Sequence, residues 1–179
     1  MAKRGFEVIE KYQDAGIEIP IRATYHAAGY DFQAAEDVVI PSIWKMGLEM
    51  GLDLKAIGQS LFTDRSQLES LLKPTLVPTG IKAYMQEDEY LQLANRSSNP
   101  LKRFLVLSNG IGVIDSDYYN NESNEGHIMF QFTNFGLKDV VIKKGERIGQ
   151  GIFLQFLKAD QDKTSATRTG GFGSSNVEK

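Results

Sequence analysis

The sequence predicts an all-β fold of the barrel or sandwich type, interrupted by one short helical insertion. Most of the chain alternates apolar and polar residues at the period of two that characterises strands, and the alternating runs are short. Gly, Asn, Asp and Pro separate these runs, as they do in small barrels and sandwiches. The chain has 179 residues, of which 41% are hydrophobic, so a single domain can bury an ordinary core.

Four segments show the alternation most clearly. Each places two or three large apolar side chains on one face of a predicted strand. In chain order these sets are Ile17, Ile19 and Ile21; Leu91 and Leu93; Ile128, Phe130 and Phe132; and Ile152, Leu154 and Phe156. We therefore expect strands near the start, in the middle and at the end of a domain that covers residues 1–158.

The hydrophobic period becomes helical between Pro41 and Pro74. Asp64 followed by Gln67 resembles a capping box at the start of a helix. Apolar residues recur at helical spacing in two sets, Leu54, Ile57 and Leu61, then Leu68, Leu71 and Leu72. We expect a helical insert at about residues 41–74, which either decorates the barrel or serves as a lid or as a surface for a protein partner.

Residues 159–179 have the composition of a flexible arm, rich in Ser, Thr, Gly, Asp and Lys. The glycine-rich motif Arg168–Ser175 surrounds one aromatic residue, Phe172. This motif is neither a Walker loop, which requires Gly-Lys-Ser/Thr, nor a dinucleotide-binding fingerprint, which requires a preceding strand. An aromatic side chain in such a tail is typical of a segment that packs only when it folds onto something else.

Composition also excludes several classes of function. The formal net charge of -3 and the pI of about 5.5 argue against broad nucleic-acid binding. The absence of cysteine excludes disulfides, thiol catalysis and cysteine-based zinc sites. The sequence shows no signal-peptide pattern and no apolar run of about 18 residues, so we expect a cytoplasmic protein that does not enter the membrane.

Four polar motifs within the predicted barrel are candidates for ligand binding, although each alone is compatible with an ordinary turn or strand start. They are Ala28–Phe32, Asn95–Ser98, Gly112–Asn120 and Gly145–Gly151. An arginine beside hydroxyl groups, as in the second, suits a phosphate. The third does not fit a calcium-binding EF-hand, because Asn120 replaces the required Gly and Gly126 the required Glu. The two histidines, His26 and His127, lack metal-ligand spacing, and we expect neither to be catalytic.

Taken in chain order, these motifs resemble the five signature motifs of the homotrimeric deoxyuridine triphosphate nucleotidohydrolases, or dUTPases. The matching segments are Ala28–Asp31, Arg96–Ser98, Gly112–Tyr118, Gly145–Gln150 and Gly170–Ser175. The resemblance implies a jelly-roll-like, distorted β-barrel and a homotrimer whose active sites contain residues of all three subunits. It also implies Mg²⁺-dependent hydrolysis of dUTP to dUMP and pyrophosphate, which keeps uracil out of DNA and supplies dUMP for thymidylate synthesis.

The same resemblance implies roles for residues around the third motif. Asp115 would hold and activate the attacking water, mostly by orienting it. Tyr118 would lie against the deoxyribose and leave no room for a 2′-hydroxyl. Asn109 and backbone groups of the hairpin, at Gly112 and Ile114, would bind the uracil edge.

The phosphates would be bound by the second and fourth motifs. Arg96, Ser97 and Gln150 are the implied contacts, with Ser98 a further candidate. The resemblance implies that phosphates and waters bind the Mg²⁺, so we expect no direct protein ligand. Asp31 and Gln150 would act on the metal through water.

The arm would close over the bound nucleotide and expel water. Phe172 would cover the uracil, while Arg168, Gly173 and Ser174 would contact the nucleotide, with Arg168 and Ser174 at the γ-phosphate. Arg168 stands four residues before Phe172 rather than the usual five, and the helical insert is not part of the common core. Gly149 also stands where the family commonly has Ala.

Two other functions remain open at this point. A dCTP deaminase has the same fold and a similar Arg-Ser-Ser motif, but it would lack the Phe-Gly-Ser tail and the Ile-Asp-Ser-Asp-Tyr hairpin. The other is a nucleotide-binding regulator that acts through a protein partner, for which the helical insert offers a surface.

Overall fold

A computed structural model of the protein describes residues 3–44 and 73–165. This part of the chain contains twelve strands, one complete α-helix and two 3-10 helices. The strands are β1 (Gly5–Val8), β2 (Ile21–Arg22), β3 (Tyr30–Gln33), β4 (Val38–Ile40), β5 (Thr75–Pro78), β6 (Ile81–Tyr84), β7 (Glu89–Asn95), β8 (Leu105–Leu107), β9 (Gly112–Asp115), β10 (Met129–Asn134), β11 (Val140–Ile142) and β12 (Arg147–Gln155). The helix α1 spans Ser98–Arg103, and the 3-10 helices span Glu10–Ala15 and Ser116–Tyr118.

The strands form four small sheets around one core, and every named strand pair is antiparallel. The largest sheet has the order β2-β3-β12-β7-β9, and a second has the order β5-β10-β8. The pairs β1-β6 and β4-β11 complete the arrangement. Their inward faces bury a cluster that includes Phe32, Leu91, Leu105, Phe130 and Phe132. The mainly β architecture confirms the predicted fold class.

Strand β12 organises the largest sheet, because it pairs with β3 on one side and β7 on the other. Its inward positions include two glycines that admit neighbouring side chains. A Cβ atom on Gly149 would lie 2.0 Å from the Phe130 ring, and one on Gly151 would lie 2.7 Å from the Phe32 ring. Glycine at position 149, where Ala is common, therefore leaves the space that the Phe130 ring occupies in the core.

The predicted alternation is confirmed in β7, where Leu91 and Leu93 are buried, and around β10, where Ile128, just before the strand, Phe130 and Phe132 are buried. It is less complete near the start of the chain. Only Ile21 and Arg22 of the first predicted strand pair with a neighbour, and Ile21 is 69% exposed because β2 is a short strand at the sheet edge. Ile17 is partly buried against the core but Ile19 and Ile21 are exposed, so the three isoleucines do not form one buried face.

The last predicted stripe has the correct period but lies on the open face of its sheet. Leu154 and Phe156 are exposed, whereas Phe153, which lies between Ile152 and Leu154, packs against the core. A period of two identifies two faces without saying which one is buried.

Of the predicted helical insert, only its beginning lies within the described residues. Ile43 and Trp44 are helical, and the indole Nε1 of Trp44 donates to the carbonyl of Phe135 at 3.0 Å. Residues 45–72, with both apolar stripes, and residues 166–179, with the glycine-rich motif, lie outside the described ranges. Across residues 3–44 and 73–165, no helix has the length and apolar content needed to cross a membrane.

Candidate active site

A cavity of about 190 Å³ opens beside β9, at the edge of the five-stranded sheet; we call it the β9 cavity. Gly112 brings β9 close to β7, since a Cβ atom at this position would lie 3.0 Å from the Leu93 side chain. The residues that line the cavity are Leu93, Asn109, Gly112, Val113, Ile114, Asp115, Tyr118, His127, Met129 and Gln131.

The β9 cavity brings together five residues that the sequence predicted as site residues. They are Asn109, Gly112, Ile114, Asp115 and Tyr118. Asn109 lies in the turn between β8 and β9, where Gly110 has a φ of +70° that glycine adopts without strain. Asp115 is the last residue of β9 and is exposed to solvent at the cavity. A carboxylate, an amide and an aromatic ring thus share one concave surface.

Tyr118 is held by hydrogen bonds at its hydroxyl. The 3-10 helix that follows β9 turns this side chain inward, and only 6% of the residue is exposed. Its hydroxyl donates to the backbone carbonyl of His127 at 3.1 Å and accepts from Nδ2 of Asn124 at 2.7 Å. The ring is therefore a fixed part of the cavity wall.

His127 forms another part of this wall. Its Nε2 accepts a hydrogen bond from the backbone N–H of Gly80 at 2.9 Å. Burial lowers the pKa of His127 to about 4, with a smaller contribution from the charge of Lys11. The imidazole is consequently neutral near pH 7. His127 was not predicted as a site residue, because no spacing motif in the sequence marks it.

A second group of polar residues lies where β3, β12 and the end of β7 meet. We call Asp31, Arg96, Arg147 and Gln150 the phosphate cluster, after the ligand that the sequence resemblance implies for this region. Nη1 of Arg147 lies 3.0 Å from Oδ2 of Asp31, and Nη1 of Arg96 donates to the backbone carbonyl of Arg147 at 3.0 Å. Gln150 is directly opposite Asp31 in the strand register. The cluster adds Arg147 to the predicted residues; its position within the fourth motif was the available signal.

Gly29 allows the Gln150 side chain to lie across the loop that precedes β3. A Cβ atom at Gly29 would lie 2.1 Å from Oε1 of Gln150, far inside van der Waals contact. This close approach explains why glycine precedes Tyr30 and Asp31 in the first motif. The amide of Gln150 and the carboxylate of Asp31 therefore belong to one surface of the sheet.

Ser97 and Ser98 lie beside this cluster in sequence, at the beginning of α1. Asn99, the next residue, is buried and donates from Nδ2 to the carbonyl of Ile148 at 2.8 Å. This bond ties the start of α1 to β12. The serines are thus held near the strand that carries Arg147 and Gln150.

The two groups are well separated within one chain. Asp115 is opposite Tyr90 of β7, whereas Gln150 is opposite Ala94 on the other side of the same strand. Four residues of strand span about 13 Å and two strand spacings about 10 Å, so about 16 Å separates the two backbone positions. The remaining predicted contacts, Arg168, Phe172, Gly173 and Ser174, lie outside the described residues.

Comparison with known proteins gives consistent results. The dUTPase family model matches residues 50–176. The deoxyuridine 5′-triphosphate nucleotidohydrolase of Lactococcus lactis subsp. lactis is 48% identical over 179 residues, which cover 99% of this chain and 100% of that protein.

Solved structures agree with the sequence comparison. The crystal structure of the Streptococcus mutans dUTPase has a TM-score of 0.68 and 43% identity, and covers 87% of this chain and 98% of its own. A mutant dUTPase from phage phi11 of S. aureus, described with a structural Mg(II) ion, is similar in fold at 14% identity and a TM-score of 0.61, covering 92% of this chain and 98% of its own. From its family model and its full-length relative, this chain belongs to the dUTPase family.

Proposed function

We infer that this protein hydrolyses dUTP to dUMP and pyrophosphate. The observation that carries the inference is the β9 cavity, in which Asn109, Asp115 and Tyr118 share one lining. Their side chains supply the groups that selective hydrolysis of a deoxynucleotide requires: an amide for a base edge, a carboxylate for water and a ring against the sugar. Family membership supplies the substrate class. A cytosolic nucleotide pool as substrate would place the enzyme in the cytoplasm.

In the proposed mechanism, Asp115 accepts a hydrogen bond from a water molecule and takes its proton as the water oxygen attacks phosphorus. The P–O bond between the α- and β-phosphates breaks, and pyrophosphate leaves with the bonding electrons. A positioned general base of this kind contributes about 10²- to 10⁴-fold to a rate. The exposed position of Asp115 at the mouth of the cavity leaves room for this water.

Base and sugar would be selected by the rest of the lining. The Asn109 amide can both donate to and accept from the uracil edge. Tyr118 would exclude a 2′-hydroxyl, since its hydroxyl group is bound to two parts of the protein and the ring cannot move aside freely. These features favour a dUTPase over a dCTP deaminase of the same fold.

The phosphate cluster would bind the triphosphate, with Arg96 and Arg147 offsetting its charge. The Ser97 hydroxyl would donate a hydrogen bond to a phosphate oxygen. No group of three or more acidic or histidine side chains able to hold a metal occurs among residues 3–44 and 73–165. Asp31 and Gln150 carry the oxygen donors that Mg²⁺ prefers, and their adjacent positions in the register suit contacts through the ion's water shell. Bound Mg²⁺ would neutralise charge on the phosphates.

We propose a homotrimer with shared sites, because about 16 Å separates the backbone of Asp115 from that of Gln150 within one chain. A neighbouring subunit's phosphate cluster would complete each β9 cavity, and an arm would close over the nucleotide through Phe172, Arg168, Gly173 and Ser174. The helical insert would be the surface for any protein partner, and a regulatory role of that kind is compatible with catalysis.

A substrate panel tests the proposed function. The purified protein, with Mg²⁺, is incubated separately with dUTP, UTP, dTTP, dCTP, dATP and dGTP, and pyrophosphate and nucleotide products are measured. We expect dUTP to be turned over far faster than the others. Equal turnover of all substrates would contradict the proposal, and conversion of dCTP to dUTP with release of ammonia would instead identify a deaminase. The mass in solution, measured by light scattering, should be that of about three chains.

A further inference from the structure

Eight residues, 119–126, form a compact loop between the 3-10 helix that carries Tyr118 and strand β10; we call it the Asn loop. Asn121 organises it from within. Its Nδ2 donates to the carbonyl of Tyr118 at 2.9 Å and to Oδ1 of Asn124 at 2.8 Å, and its Oδ1 accepts from the N–H of Ser123 at 3.1 Å. The loop therefore has a defined shape that is hydrogen-bonded to the backbone of Tyr118.

The Asn loop is also fixed to the body of the protein. Lys82 on β6 is almost fully buried, and its Nζ donates to Oδ1 of Asn120 at 2.7 Å and to Oε1 of Glu125 at 2.6 Å. The other carboxylate oxygen of Glu125 accepts from the N–H of Glu10 at 2.9 Å. The hydrogen bond from Lys82 is the main reason that the pKa of Glu125 is lowered. Lys82 on β6 and the backbone of Glu10 thus hold the two ends of the loop.

One side chain of this fixed loop, that of Asn124, contacts a residue of the cavity wall. Asn124 does not line the cavity, but its Nδ2 donates to the Tyr118 hydroxyl at 2.7 Å. Its Oδ1 accepts from Nδ2 of Asn121 and from the N–H of Gly126 at 3.1 Å. Hydrogen bonds at both the nitrogen and the oxygen therefore determine the orientation of the Asn124 amide. Because that hydroxyl also donates to the His127 carbonyl, the tip of the phenol is held from two directions.

We propose that Asn124 is a positioning residue for sugar selection: by fixing the Tyr118 phenol, it keeps the cavity wall close enough to exclude a ribose 2′-hydroxyl. The proposal rests on the proposed function. A steric wall discriminates between dUTP and UTP only to the extent that it does not yield. If the ring can tilt away, kcat/KM rises more for UTP than for dUTP, since dUTP fits without that movement.

The test measures kcat/KM for dUTP and for UTP in wild type, Asn124→Ala, Tyr118→Phe and the double variant. We expect Asn124→Ala to lower the dUTP preference about five- to tenfold, the effect of losing one net hydrogen bond. Tyr118→Phe also loses the bond to the His127 carbonyl and should lower the preference at least as much. The double variant should lower it no further than Tyr118→Phe alone, because that change already removes the contact with Asn124. Ser123→Ala is the matched control, since the Ser123 hydroxyl donates to Oδ1 of Asn121 at 2.7 Å, within the loop.

The possible outcomes distinguish failure of the Asn124 proposal from failure of the proposed dUTP hydrolysis. An unchanged preference in Asn124→Ala or Tyr118→Phe would overturn it, as would additive effects in the double variant. Equal loss of preference in Ser123→Ala would show that general loosening of the loop is responsible. Should Asn124→Ala fail to fold, Tyr118→Phe is the second variant, since it removes the Asn124 contact together with the bond to the His127 carbonyl. An unchanged preference in that variant overturns the proposal. A wild-type protein that does not hydrolyse dUTP would instead refute the proposed function.

Discussion

The β9 cavity is formed within one chain, whereas the phosphate cluster lies open on the sheet. Tyr118 in the cavity is 6% exposed and bonded at its hydroxyl, while the side chain of Arg147 in the cluster is 52% exposed. Groups that select a neutral base and sugar can be fixed in advance at low cost when their polar atoms are satisfied. Arg147, one of the groups proposed to bind the highly charged triphosphate, is instead left open to solvent.

The largest expected effect is that of Asp115→Asn, which should change kcat and leave KM nearly unchanged. Asp115→Asn should lower kcat about 10²- to 10⁴-fold, because the amide cannot take a proton from the attacking water. The variant keeps the size of the side chain, so KM should change little; steady-state kinetics with dUTP measures both. Asp117→Asn, two residues on, is the control and should stay within about twofold of wild type. Full kcat in Asp115→Asn would exclude Asp115 as the base.

The second prediction concerns the buried wall of the β9 cavity. Because the pKa of His127 is lowered to about 4, the unfolded chain takes up a proton first as the pH falls below about 6.5. The contribution of His127 to the free energy of unfolding is therefore fully present above about pH 6.5 and decreases as the pH falls toward 4. Between pH 7 and pH 5 the free energy of unfolding should fall by about 2 kcal/mol from this residue, roughly thirtyfold in the unfolding equilibrium.

Urea unfolding at the two pH values measures this change. His127→Gln should be less stable than wild type at pH 7 but should lose less stability on acidification. His26→Gln changes an exposed histidine and should follow the wild type at both values. The same pH dependence in wild type and His127→Gln would show that this wall is not desolvated as the structure indicates.

The smallest expected effect concerns the phosphate cluster, which lies open on the sheet. In Gly29→Ala, the new methyl group would displace the Gln150 amide, and overpacking of this kind costs about 1–3 kcal/mol. We expect kcat/KM for dUTP to fall about tenfold, while the preference for dUTP over UTP, which depends on the β9 cavity, stays the same. In a Gln150→Ala background, Gly29→Ala should have little further effect. Independent, additive losses would show that Gly29 acts elsewhere.

The predicted residues of the β9 cavity follow from local sequence order, whereas only the family resemblance predicted that Asp31, Arg96 and Gln150, which lie on distant segments, share a site. Gly112, Ile114 and Asp115 belong to one strand, and the turn after them brings Tyr118 into the same lining. The buried face of β10 was equally evident, since Ile128, just before the strand, and Phe130 within it alternate without interruption.

What the sequence did not predict depends on contacts between distant segments. The pair formed by Asp31 and Arg147 joins residues more than a hundred positions apart. Asn124 looks like an ordinary turn residue, because Asn is common in loops for local reasons. Its contact with Tyr118 depends on how the Asn loop folds back, which Lys82 on a different strand helps to fix.

The central place of β12 has a consequence for how the protein reaches its native state. Until residues 147–155 have been synthesised, β3 and β7 each lack a partner along one edge. Pairing between segments so distant in sequence is slow, and unpaired edges promote aggregation while they last. The strand that carries Gln150 is thus also the one that closes the sheet, so the phosphate cluster cannot form before the barrel itself is complete.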